Sequence, residues 1–119
     1  MSLETVLEQT RAEAEFEAVL LTDFGGRILA AARAEDTSPE TIGALLDLSM
    51  RFAATPEEQA RLGNSGESTF FDWEGRQVIF RWFVAGAQRC LLVILAPHGT
   101  AYKRAAGQLI RHVQRVLTA

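Results

Sequence analysis

The stretch Gln77 to Val84 constrains the fold more than any other, because it is apolar on both sides at once. Side chains alternate across a strand, so Val78, Phe80, Trp82 and Val84 share one face while Ile79 and Phe83 make the other half apolar. A strand of this kind belongs in a sheet that is covered on both faces. Its neighbours in sequence supply the partners. Ser68 to Trp73 and Arg89 to Leu95 flank it across Glu74-Gly75 and Ala85-Gly86-Ala87, which predicts a three-stranded meander.

Two further strands and the covering helices are legible upstream and downstream. Ala18 to Thr22 and Arg27 to Ala32 surround Asp23-Phe24-Gly25-Gly26, and a Gly pair between two apolar runs predicts a β-hairpin, since glycine accepts the positive φ of a tight turn. Leu3, Val6, Leu7, Thr10 and Ala14 recur at helical spacing, with Glu4, Glu8, Arg11 and Glu15 opposite them. Ser38-Pro39-Glu40 is a helix start: a capping hydroxyl, a proline at the first helical position and an acid against the dipole. This second helix is expected to run to about Ala54, with Thr55-Pro56-Glu57-Glu58 marking a break and a short turn to Leu62. After Pro97-His98-Gly99, the stripe Tyr102, Ala105, Ala106, Leu109, Ile110, Val113, Val116 and Leu117 predicts a last helix lying on the sheet. The resulting order is α-β-β-α-β-β-β-α. Its tight connections imply one five-stranded antiparallel sheet with helices on both faces, an α/β (α+β) class, in a single domain over residues 1–119.

The second helix carries more apolar surface than a sheet can cover. Stepping 100° per residue from Ile42, the residues Leu45, Leu46, Leu48, Met50, Phe52 and Ala53 spread over about 200° of its circumference, and Glu40, Asp47, Arg51 and Glu58 crowd into what is left. Burial by another helix of the same chain would absorb the surplus. So would a second copy of the chain, since closed two-fold dimers are the commonest assembly.

Composition narrows the function class. With 48% hydrophobic and 23% charged residues in 119, the chain is a globular protein. A net charge of −3 leaves no excess of Lys and Arg to neutralise phosphates, so no nucleic-acid partner is expected. The start Met1-Ser2-Leu3-Glu4 has no leader character, no apolar run approaches the ~18 residues of a membrane span, and the single cysteine, Cys90, cannot form an internal disulfide. A cytoplasmic location without membrane insertion is expected. Chemistry is equally sparse. No Gly-x-x-x-x-Gly-Lys-[Ser/Thr] loop occurs, His98 and His112 have no carboxylate or thiol at ligand spacing, and Cys90 has no local activator. Ser49 can return its hydroxyl bond to the preceding helical turn. Trp73 and Trp82 are read as core, with a ligand pocket as the alternative. No catalytic residue, metal or cofactor is expected.

The element order, the hairpin Val19-Leu20-Leu21-Thr22-Asp23-Phe24-Gly25-Gly26-Arg27-Ile28-Leu29-Ala30-Ala31 and the helix opening Ser38-Pro39-Glu40-Thr41-Ile42-Gly43-Ala44-Leu45 together resemble the Roadblock / dynein light chain family over nearly the whole chain. The resemblance implies a profilin-like domain that dimerises, with second helices packed together and third strands joining two sheets, and that regulates or scaffolds a Ras-like small GTPase. Carried over by position, it puts Ile42, Leu45, Leu46, Ser49 and Met50 at or near the helix contact and Ser68, Phe70 and Asp72 on the joining strand. Glu40, Asp47 and Arg51 would then face the GTPase. Two alternatives stay open: a small-molecule sensor of the PAS or GAF kind, and a structural dimerisation module with no GTPase client.

Overall fold

The computed structural model describes residues 2–52, 66–72 and 74–118. Among them the chain runs α1 (Leu3–Ala14), β1 (Ala18–Asp23), β2 (Ile28–Arg33), α2 (Glu40–Phe52), β3 (Gly66–Phe71), β4 (Gln77–Ala85), β5 (Gln88–Ala96) and α3 (Lys103–Thr118). The order is the one read from sequence. The strands form a single sheet ordered β2-β1-β5-β4-β3, and every neighbouring pair is antiparallel. β1, from the first hairpin, therefore pairs with β5, the last strand of the meander, and β2 and β3 become the two edges.

The doubly apolar strand behaves as its pattern requires. Ile79 and Phe83 join Val19, Leu21, Leu92 and Ile94 in a core closed by Val6 and Leu7 of α1 and by Ala106, Leu109, Ile110 and Val113 of α3. Val78, Phe80 and Trp82 join Leu20, Leu91 and Val93 in a second core on the opposite face, where α2 contributes Leu45. Burying this much aliphatic and aromatic surface, at about 25 cal/mol per Å², is the main stabilising contribution. Trp82 is 4% exposed and belongs to this packing.

Helix ends follow the capping chemistry. Ser2 accepts from the Thr5 amide at the start of α1, and Glu15 closes that helix in the left-handed conformation, φ 58°. Ser38 Oγ accepts from the Glu40 amide at 3.3 Å to open α2. The expected break at Thr55, the turn to Leu62, the helix end at Ala54 and Trp73 lie outside the described residues. No helix among the described residues is long and apolar enough to cross a membrane.

Strand bounds differ most at β3, expected over Ser68 to Trp73 and found over Gly66–Phe71. Gly66 pairs with Trp82, whose indole fills the space a side chain at 66 would need, so the strand starts two residues earlier than its apolar content suggests. It stops at Phe71 because Asp72 turns the chain. The Asp72 Oδ1 accepts from the amides of Glu74 (3.0 Å) and Arg76 (2.8 Å), and Oδ2 accepts from Arg76 Nε (2.7 Å). Asp72 is thus a turn residue, and its placement on the joining strand is corrected.

Candidate interaction surface

The seating of α2 decides which of its residues can meet anything outside the chain. Leu45 and Ser49, one turn apart, are 3% and 1% exposed and mark the centre of its buried face. A serine is tolerated there because its Oγ donates to the Leu46 carbonyl at 2.7 Å, the local bond expected from sequence. Leu45 and Ser49, expected at or near the helix contact, are therefore buried within the chain itself. Ile42, Leu46 and Leu48 are half-buried at the margins of that face.

Opposite the buried face stand Glu40, Asp47 and Arg51, all exposed. Spacings of seven and four residues place them on one ridge. Glu40 accepts a hydrogen bond from Ser38 Oγ, and this bond first, with its own backbone amide, holds its carboxyl below the usual glutamate range. The ridge thus presents fixed negative charge at the N-terminal end of the helix and a cation at the other.

Between ridge and core on one flank lie Gly43, exposed, and Met50, 57% exposed. Met50 lies over the β1–β2 turn, and Gly26 makes room for it. Gly26 has φ 86°, and a Cβ there would come within 2.5 Å of the Met50 sulfur. The turn beneath is firmly held. Asp23 Oδ1 accepts from the amides of Gly25 and Arg27, both at 2.9 Å. Of the apolar spread of about 200° read from the helix pattern, the part around Leu45 is seated on the sheet and Met50 lies outside it.

The second feature is the β3 edge. β3 pairs with β4 on one side and is an edge strand of the sheet among the described residues. Ser68 and Phe70 point to the same face as α2, and Phe70, 39% exposed, meets Phe80 edge to face with ring centroids 5.5 Å apart. Phe71, 66% exposed, points to the other face. Sequence reading passed over Phe71. Its signal was its place as the odd member of an apolar pair on a short edge strand.

Other candidate groups fall into structural roles. Cys90 is fully buried, and burial first, with the Asp23 charge, pushes its thiol up to about 11. His98 Nδ1 bonds the Gly75 carbonyl at 3.1 Å. No cluster of potential metal ligands occurs among the described residues.

No family profile matches the sequence, and no curated protein matches it at the level of sequence. Solved structures do. The gliding protein MglB from Thermus thermophilus superposes with a TM-score of 0.71 at 24% identity, covering 98% of this chain and 88% of that one. An MglB structure with a tetrameric arrangement gives 0.66 at 25% identity, covering 97% and 84%. A Roadblock/LC7 domain from Streptomyces avermitilis gives 0.68 at 12% identity and covers both chains completely. With these TM-scores and near-complete overlap, the chain has the Roadblock/LC7 fold.

Proposed function

We propose that this protein is a non-catalytic adaptor that forms a dimer and binds a Ras-like small GTPase, modulating its activity or localisation. The observation that carries the proposal is the division of α2. One side is committed to the sheet through Leu45 and Ser49, a flank leaves Met50 exposed on a rigid turn, and a ridge offers Glu40, Asp47 and Arg51 to solvent. Met50, with the half-buried Ile42 and Leu46 at its side, supplies apolar surface for a second α2, and β3, an edge of the sheet among the described residues, would lie beside a second β3. The ridge remains for the client. The Roadblock/LC7 fold supports this reading, as does the tetrameric arrangement of one MglB structure of that fold.

Catalysis by this chain is no part of the proposal. A GTPase regulator acts by positioning the partner's own groups, and Arg51 is the one cation on the ridge able to approach a transferring phosphate. The test is to mix purified protein with small GTPases of the same organism and follow co-elution and hydrolysis rate. The pair should co-elute or the rate should change, and Asp47→Lys should abolish the effect while leaving the assembly mass unchanged. Neither co-elution nor a rate change with wild-type protein would overturn the proposal.

A further inference from the structure

A cleft of about 420 Å³ opens where β3 and β4 meet the first half of α3, lined by Gly66, Glu67, Arg81, Lys103 and Gly107. Its charges do not balance. The Arg81 side chain is only 27% exposed, and its nearest carboxylate oxygen, Glu67 Oε1, lies 3.8 Å from Nε. That is too far for a hydrogen bond. The other Glu67 oxygen accepts from the Tyr102 hydroxyl at 3.3 Å, and that hydroxyl also bonds Thr69 Oγ1 at 3.1 Å, so the carboxylate is held where it is. Arg81 is left with its guanidinium donors free of hydrogen bonds among the described residues.

A second guanidinium converges on the same point. A Cβ on Gly107 would lie 3.6 Å from Nη1 of Arg111 and 3.9 Å from Nη1 of Arg81, so strand and helix aim their cations at the one position of α3 without a side chain. Lys103 stands one turn earlier on the same helical row. Across its whole length α3 carries Lys103, Arg104, Arg111 and Arg115 and no acid, in a chain whose net charge is −3. Like charges brought together around one position of a helix repel one another. An anion with several oxygens, seated above Gly107, would offset that repulsion.

We propose that this cleft binds a phosphomonoester group, held by the guanidiniums of Arg81 and Arg111 with the Lys103 ammonium beside them. Arginine forks match phosphate oxygens in pairs, which a single surface lysine does not. The group belongs either to a soluble metabolite or to a lipid headgroup. The site is separate from the α2 ridge and stands whether or not a GTPase binds there.

The test is calorimetric titration of the full chain with glycerol 3-phosphate, with glycerol as blank, alongside flotation with phosphatidylcholine vesicles containing phosphatidic acid. Saturable binding is expected in at least one arm, and the arm that binds identifies the source. Arg81→Gln and Arg111→Gln should each weaken it about tenfold, the equivalent of 1.4 kcal/mol. Glu67→Gln, which removes the competing carboxylate, should tighten it. Arg115→Gln, on the same helix but outside the cleft, should leave it unchanged. Absence of saturable binding in both arms, or an equal loss with Arg115→Gln, would overturn the assignment.

Discussion

Gly66 is where the edge strand and the second core meet, and adding one methyl group there has a calculable cost. Gly66 pairs with Trp82, and a Cβ at 66 would lie 2.5 Å from the indole Nε1 and closer still to Cε2 and Cζ2. Atoms of this kind rest at about 3.5 Å, so the indole must retreat by roughly 1 Å. It has nowhere to go: Trp82 is 4% exposed and packed with Phe80, Leu91 and Val93. Overpacking a core costs about 1–3 kcal/mol, and at about 2 kcal/mol a domain of this size loses roughly 8 °C in its unfolding midpoint. Gly66→Ala should show that loss in thermal unfolding followed by circular dichroism. Gly25→Ala is the control, because its methyl would meet only Asp23 Oδ1, at 3.4 Å, with no positive φ to oppose it. A Gly66→Ala midpoint equal to or above wild type would refute the packing argument.

Other perturbations read different parts of the structure. Gly26→Ala combines φ 86° with a collision at the Met50 sulfur, so it should cost about 1–2 kcal/mol in urea unfolding, and less in a Met50→Ala background, where only the backbone strain remains. Burial works against the Asp72 carboxylate, but the Arg76 side chain and the turn amides outweigh it and hold its pKa below the ordinary 3.8. A depressed folded pKa adds stability above the ordinary value and loses it as pH falls through the folded one. Asp72→Asn should therefore unfold earlier than wild type at neutral pH, with the gap closing as pH drops below 3.8; a gap that persists in acid would contradict this. The buried Cys90 thiol, at about 11, should resist an aromatic disulfide reagent at pH 8 in the folded chain and react at once in denaturant.

The layered fold was legible because period-two and period-3.6 patterns report which side of an element is buried. Both faces of Gln77–Ala85 were readable, and so were the stripes of α1 and α3. The rotation of α2 was harder to read. Its apolar residues span an arc wide enough to seat the helix several ways, and only the tertiary position of β1 and β5 puts Leu45 and Ser49 at the centre. Ser49, whose place at or near the helix contact came from the resemblance alone, closes its hydroxyl on the Leu46 carbonyl and is buried. The end of β3 was legible in principle. Asp23-Phe24-Gly25-Gly26-Arg27 and Asp72-Trp73-Glu74-Gly75-Arg76 share Asp, Gly and Arg at the same offsets, and both aspartates accept from the amides two and four residues on. The expected strand over Ser68 to Trp73 runs past this aspartate, whereas β3 ends at Phe71. The row Lys103, Gly107 and Arg111 stood in the sequence, but the cleft did not, because Arg81 is brought to it by the packing of α3 on β4.

In the proposed dimer a second copy would cover both the exposed flank of α2 and the β3 edge. Light scattering on the purified chain measures self-association directly. The account predicts a mass of twice 13.1 kDa, falling toward 13.1 kDa for Met50→Glu, whose added charge sits on an exposed position and leaves the core intact. A monodisperse wild-type species of 13.1 kDa at high concentration would contradict it.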